Sequence, residues 1–413
     1  MSRANRIQSG IIFVIGCFMK EMFLFGAGAS VEAGVPDSYG LTERILNGFE
    51  TSSDLHKYAR IVNFIAGGLL FQNSILGLNP LKVGVNVENL FNAIDILANR
   101  HTLEAAPFVG SWHFMIDEFD KIEPPRPNIS SLYDVICKNI KEDIIPELTD
   151  RFSPFQHIKK TQNRSEFSRK FSDAVNQESK PGKGQIFDEV AEYMTRSLVN
   201  IAWIDNINNV SYLIPLLEVL KSQNQLTIAS LNYDNSVELL CKNNNVVCNT
   251  GIEKWPNEDA FKKPESGLLL LKLHGSIDWS SNPYFRDEMH SLPYTAIKKV
   301  APEKIKESGF RPAVIFGHKN KLTADGPFLD LLRIFQYELN LADRLTIVGY
   351  SFSDEHINVY LSNWINQGKN RKVRIINPEY YKISNDFTLI LAMLDDQRLE
   401  VIEKRASEGL QTI

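Results

Sequence analysis

Five short clusters, each directly after an apolar run, hold the residues of this chain best suited to chemistry. The first is Gly26-Ala27-Gly28-Ala29-Ser30, which follows Met22-Phe23-Leu24-Phe25, with Gly34 and Pro36 close behind. The others are Asn232-Tyr233-Asp234, His274-Gly275, Gly349-Tyr350-Ser351 and Asn377. A turn with almost no side-chain bulk lets backbone N–H groups approach a diphosphate, and a helix N-terminus behind it would stabilise the charge. The glycine stretch lacks the Gly-Lys-Ser/Thr ending of a Walker loop, and Val31 stands where a dinucleotide fingerprint has its third glycine. Two readings therefore stay open for it, a phosphate loop or a tight turn that binds nothing. Taken singly, a His after a strand reads as a structural hydrogen-bonder and an Asn there as a turn residue.

The elements that must position these clusters are legible from hydrophobic patterning. Met22–Phe25, Leu226–Leu231, Leu268–Leu273, Ala313–Phe316, Leu345–Val348, Lys372–Ile376 and Leu399–Ile402 read as strands. Helices are expected at Ser236–Lys242, Phe328–Leu341 and Glu355–Asn366, so strand and helix alternate. The fold class expected is α/β, a Rossmann-like doubly wound parallel sheet, with every cluster at the carboxyl edge where such sheets bind ligands.

Between the glycine stretch and Asn232 lie about two hundred residues of a different character. Leu41–Phe49 reads as a short amphipathic helix, and Val87, Leu90, Phe91, Ile94 and Leu97 recur at helical spacing. Ser131–Leu148 and Ile186–Ile204 also read as helices, whereas Gly67-Gly68-Leu69-Leu70-Phe71 reads as a packed turn. Trp112 and Trp203 are taken as core residues. The division expected is a discontinuous domain of residues 1–40 and 221–413, carrying a helical insertion at 41–220 that assembles oligomers or covers the pocket.

With 413 residues the chain is too long for one small core, and a net charge of −5 does not advertise nucleic acid. Lysines and arginines do crowd residues 157–184, but no aromatics interleave them, so a solvated face is expected and direct nucleic-acid binding is not. The four cysteines form no C-x-x-C pair, which suits a reducing compartment and argues against a disulfide framework or a four-cysteine zinc site. Residues 11–19 are apolar behind Arg3 and Arg6, like a signal-peptide core, but Lys20-Glu21 ends the run without a small-residue cleavage site. The run is too short to span a bilayer, so an extra apolar element is expected, no membrane association, and a cytoplasmic protein.

As an ordered set, the clusters resemble the sirtuin superfamily, and within it the bacterial antiphage-defence branch of sirtuin-like NAD⁺ hydrolases. Gly26-Ala-Gly-Ala-Ser-Val-Glu-Ala-Gly-Val-Pro36 is similar to that family's glycine-rich opening, and Ser230-Leu-Asn-Tyr-Asp234 to its Thr-x-Asn-x-Asp segment. Leu271–Trp279 resembles its histidine segment, and Gly349-Tyr-Ser351 and Ile376-Asn377 its late ribose- and phosphate-side motifs. The resemblance implies NAD⁺ as substrate. It implies a diphosphate held by Gly26, Ala27, Gly28 and Ser30, and a loop shaped by Gly34 and Pro36 over the nicotinamide ribose. Asn232 would orient water or a ribose hydroxyl, Asp234 would fix the nicotinamide amide, and His274 would be the general base. Ser351, beside Gly349, would contact phosphate or ribose, and Asn377 the adenosine ribose. These residue types suit a reaction through an oxocarbenium-like centre, which needs a positioned acceptor, a near-neutral base and exclusion of bulk water.

One departure from the family is informative. Deacylating sirtuins carry a zinc module built on two cysteine pairs after the histidine segment, whereas no cysteine follows Cys248 here, so no zinc is expected. The resemblance thus implies an NAD⁺ glycohydrolase that depletes cellular NAD⁺ in abortive infection, controlled by assembly or by a partner. A homo-oligomer is expected, and a HerA-type ATPase, a short Argonaute or a phage protein are the candidate partners. The alternatives are an NAD-dependent protein deacylase or ADP-ribosyltransferase, and a non-catalytic NAD or ADP-ribose sensor. Residues Tyr284–Arg311 read as a mobile lid or an ordinary surface loop.

Overall fold

A computed structural model describes residues 19–79, 84–122, 184–285, 294–301, 304, 312–315, 326–383 and 385–413. The apolar stretch at 11–19, except its last residue, the helix expected at Ser131–Leu148 and the basic segment 157–183 lie outside the described residues.

Six of the seven strands expected from the sequence, joined by the unforeseen two-residue strand Cys248–Asn249, form one parallel sheet. They are β1 (Glu21–Phe25), β2 (Gln225–Ser230), β3 (Cys248–Asn249), β4 (Gly267–Lys272), β8 (Arg344–Val348), β9 (Lys372–Ile376) and β10 (Leu399–Ile402). Between β4 and β8 run β5 (Gly275–Phe285), β6 (Tyr294–Lys299) and β7 (Pro312–Val314). The large sheet has the order β10-β9-β8-β1-β2-β4-β3, with β1 at its centre. From β1 the chain winds one way through β2 and β4 and returns on the other side through β8, β9 and β10. The α/β doubly wound class expected from the sequence is the class observed, and the winding reverses between β1 and β8.

Alternation along β1 shows why the sheet needs cover on both faces. Phe23 and Phe25 enter one core, with Leu226, Ile228, Leu268 and Leu270. Met22 and Leu24 enter the other, with Leu269, Leu271, Leu345 and Ile347. On the first face lie α1 (Ser38–Thr51), α2 (His56–Ile75), α3 (Val87–Ala98) and α5 (Gln185–Ala202); the short α4 (Phe114–Phe119) joins them. Helix α5 has Ile186, Val190, Met194 and Leu198 buried at helical spacing, which is why it packs as a layer. The second face is covered by α6 (Phe328–Leu341) and α7 (Glu355–Gln367). The helical segment therefore shares a continuous core with the sheet. No helix of the described residues is long and apolar enough to cross a membrane.

Four local expectations need correction. Gly67 and Gly68 do not make a turn but lie inside α2, where nothing stands within 4 Å of a Cβ at either position. Each glycine costs a helix about 1 kcal/mol relative to alanine. The buried stripe Tyr58, Ile61, Val62 and Ile65 outweighs that cost. Of the strand expected at Ala313–Phe316, Ala313 and Val314 belong to the short β7, paired antiparallel with β5 in a separate three-stranded sheet, β6-β5-β7, and Phe316 lies outside the described residues. The stretch read as a lid or loop contains the described strand β6, which also pairs antiparallel with β5. Trp112 and Trp203 are only half-buried at the margin of the first core, and Trp203 Nε1 donates to Asp205.

Candidate active site

All five clusters emerge at the carboxyl edge of the large sheet, because each follows a strand that runs in the same direction. The glycine stretch leaves β1 as a short 3₁₀ helix, Ala27–Ala33, ended by Gly34 in the left-handed conformation at φ 92°. Gly26 and Gly28 owe their lack of side chain to the neighbouring strand. A Cβ on Gly26 would lie 2.6 Å from Tyr350 Cα, and one on Gly28 would lie 2.8 Å from Gly349 Cα. That contact is sealed by Gly26 N–H donating to Val348 O (2.9 Å) and Gly28 N–H to Gly349 O (2.8 Å). The turn after β1 and the turn after β8 are thus pressed together at the point where the winding reverses.

Asn232 joins the glycine stretch to β2. Its Nδ2 donates to Gly26 O (2.9 Å) and to Ser30 Oγ (2.8 Å). A carbonyl can only accept, so the nitrogen faces it, and both amide hydrogens are committed. The carbonyl oxygen of Asn232 is left as an acceptor. Two positions on, Asp234 Oδ1 accepts from Ser236 N–H (2.9 Å), while its Oδ2 is buried without a hydrogen-bond partner. A buried Lys272 ammonium donates to the Asp234 carbonyl and fixes the turn from beneath.

His274 is 5 % exposed, and its Nε2 lies 3.0 Å from Asp354 Oδ2. Its other ring nitrogen, Nδ1, is buried and has no partner. Tyr233 lies beside the imidazole, with ring centroids 6.4 Å apart. Burial pushes the Tyr233 and Tyr350 phenols well above their usual range, with the Asp354 and Glu88 carboxylates adding to the effect, so both stay protonated donors. Tyr212 donates to Ala29 O (2.6 Å) and is raised likewise, by burial first and then by Asp234 and Glu32.

These groups surround one cavity that opens to solvent. Of the residues singled out in the sequence, Gly26, Ala27, Ser30, Pro36, Asn232, Asp234, His274 and Ser351 line it. Gly28 and Gly349 lie behind it in the backbone contact just described. Asn377 also stands off it, with Nδ2 donating to Tyr350 O (3.3 Å), and Gly34 serves as the helix cap.

Sequence reasoning missed two contributions. One is Asp354, the N-cap of α7, whose acid-before-helix signal was present but gave no hint of a histidine eighty residues away in sequence. The other is the far wall, where Asn86, Val87 and Glu88 at the start of α3 meet Leu198 and Ala202 of α5. No local pattern places a helix start opposite a sheet edge. Among the described residues no group of three or more His, Cys, Asp or Glu could hold a metal ion.

Residues 226–402 match the family described as the SIR2-like domain. The match begins at β2, so it includes Asn232, His274 and Asp354 but neither the glycine stretch nor the helical segment. Solved structures similar to this chain include a Sir2 homologue mutant in complex with ADP-ribose, 17 % identical, with 49 % of this chain and 63 % of that chain covered at a TM-score of 0.28. A Sir2 homologue–NAD complex is 17 % identical over 55 % of this chain and 72 % of that one, at a TM-score of 0.31. A structure titled for the mechanism and regulation of Sir2 enzymes is 14 % identical over 55 % and 74 %, also at 0.31. No curated protein matches the chain. What bears on function is the family match together with the geometry of the cavity.

Proposed function

We propose that this chain is an NAD⁺ glycohydrolase that converts NAD⁺ and water to ADP-ribose and nicotinamide. The observation that carries the reading is the cavity itself, where the unpartnered His274 Nδ1, the spare acceptor of Asn232 and the unpartnered Asp234 Oδ2 meet the glycine stretch. Buried polar atoms without partners are rare in native proteins, and those of His274 and Asp234 belong to side chains that line the cavity. Asp234 Oδ2 suits an amide N–H such as that of the nicotinamide carboxamide, and the backbone after β1 suits the diphosphate.

In this reading the bond between the ribose anomeric carbon and the nicotinamide nitrogen breaks, and its electron pair leaves with nicotinamide. The carboxylates around the cavity favour the positive charge that develops on the sugar. Water adds to the anomeric carbon, positioned by the Asn232 carbonyl oxygen, and its proton passes to His274 Nδ1. The wall supplied by α3 and α5, with Val87, Leu198 and Ala202 buried, limits the access of bulk water.

A protein deacylase would need a channel for an acyl-lysine, and the cysteine pairs of the zinc-bearing enzymes are missing after Cys248. The biological output we propose is depletion of NAD⁺ in defence against phage, with activity held in check by assembly or by a partner protein. In the same reading the helical segment 41–220 covers the pocket and carries the contacts for assembly. The test is incubation with NAD⁺, with and without an acetyl-lysine peptide, and identification of the products. ADP-ribose and nicotinamide formed without peptide support the hydrolase; nicotinamide release that requires the peptide overturns it.

A further inference from the structure

We propose that Asp354 is the positioning residue that sets the tautomer of His274 and leaves Nδ1 as the nitrogen that takes the proton. This rests on the hydrolase reading above, in which His274 is the base. The two carboxylate oxygens of Asp354 have separate tasks. Oδ1 caps α7, accepting from the backbone N–H groups of His356 (3.0 Å) and Ile357 (3.3 Å). Oδ2 faces His274 Nε2 at 3.0 Å. A carboxylate accepts, so the hydrogen lies on Nε2, and a neutral imidazole then has its lone pair on Nδ1. That nitrogen is the buried, unpartnered one, and it lies in the ring that lines the cavity.

The approach of Asp354 is built by a strained turn. Phe352 holds φ 56°, a left-handed conformation that is a genuine outlier for a bulky residue. Strain of this kind persists only where the surroundings over-determine it, and it concentrates at functional sites. Here Asn358 and Asn385 both donate to the Phe352 carbonyl, at 2.8 and 3.0 Å. The Phe352 ring is packed against Tyr350 and Phe387, with centroids 4.9 and 5.5 Å away. Tyr350 OH in turn accepts from Asp354 N–H at 3.1 Å. A helix cap alone needs only one oxygen and any of several residue types. The extra constraints serve the second oxygen.

The decisive variant is Asp354→Asn. Asparagine is as good an N-cap as aspartate, so its Oδ1 keeps the cap. Its NH₂ then points at Nε2 and can only donate, which moves the imidazole hydrogen to Nδ1 and abolishes the base. Long-range ¹H–¹⁵N spectra of the full chain read this directly. Wild type is expected to carry hydrogen on Nε2 of His274, and Asp354→Asn on Nδ1. NAD⁺ turnover should fall about 10⁴-fold in kcat, the loss known for such a swap in a carboxylate–histidine pair, with KM changed less than about threefold. Hydrogen on Nδ1 in wild type, or an unchanged tautomer in Asp354→Asn, would overturn the assignment, and the wild-type spectrum decides even if the variant does not fold. Should wild type prove inactive on NAD⁺ in every assembly state and with the proposed partners added, the hydrolase reading falls while the spectra still decide the role of Asp354.

Discussion

The contact between the two glycine turns makes a quantitative prediction, tested by comparing Gly349→Ala with Gly34→Ala. Both glycines have positive φ, 61° and 92°, so either substitution places alanine in the left-handed region. That strain costs about 1–2 kcal/mol, offset by about 0.4–1 kcal/mol because alanine restricts the unfolded chain. At Gly34 nothing stands within 4 Å of the new Cβ, so the net loss should be about 1 kcal/mol. At Gly349 the Cβ would lie 2.3 Å from Ala29 N and 2.3 Å from Gly28 C, and these are backbone atoms that cannot swing aside. The turns must separate, which breaks the Gly28-to-Gly349 and Gly26-to-Val348 hydrogen bonds, each worth about 1 kcal/mol. Gly349→Ala should therefore lose about 3–4 kcal/mol in all. Guanidinium unfolding at unchanged slope gives the difference from the midpoints. Equal losses for the two variants would refute the claim that the glycines serve this backbone approach.

Other expectations follow from single contacts. Tyr212→Phe removes the donor to Ala29 O and should cost about 1 kcal/mol, with NAD⁺ affinity, read by calorimetry, falling because the stretch after β1 loosens. Tyr58 OH donates to Glu189 Oε2 at 2.5 Å, tying α2 to α5. Burial raises the Glu189 carboxyl above its usual range, and the Tyr58 hydrogen bond opposes that rise. In Tyr58→Phe the Glu189 carboxyl should therefore titrate higher still. The stability lost, about 1–2 kcal/mol at neutral pH, should shrink as the pH falls and Glu189 protonates in the folded state. Melting curves across pH 4–8 (about the range where carboxyl and imidazole groups titrate) check the sign, and a loss that grew toward acid would contradict it.

Much of the sheet was legible because buried parallel strands are short unbroken apolar runs. Leu268–Leu273 and Leu345–Val348 announce themselves, and a His or Gly closing such a run must sit at the carboxyl edge. The sequence could also order the clusters, since parallel strands all deliver their ends to one side. What it could not convey was pairing across long separations. Pro312–Val314 has strand composition, but only tertiary contact with β5 decides that it runs antiparallel in a second sheet. Gly67 and Gly68 carry a turn signal that the packing of Tyr58, Ile61 and Ile65 overrides. Asp354, the residue just before a helix, shows no tie to His274 until the fold brings that ring to its second oxygen. The wall formed by Asn86–Glu88 is of the same kind, a product of packing between segments that share no sequence signal.

In the proposed reaction Asn232 and His274 hydrolyse NAD⁺ in the cavity at the carboxyl ends of β2 and β4. The most direct measurement is NAD⁺ loss with product identification for wild type, Asn232→Ala and His274→Ala, each alone and with the proposed partner proteins added. ADP-ribose and nicotinamide are expected from wild type, with a loss of at least about 10²-fold in either variant, the typical contribution of a positioned base. NAD⁺ that binds without turnover in every assembly state, or equal turnover in all three proteins, would contradict it.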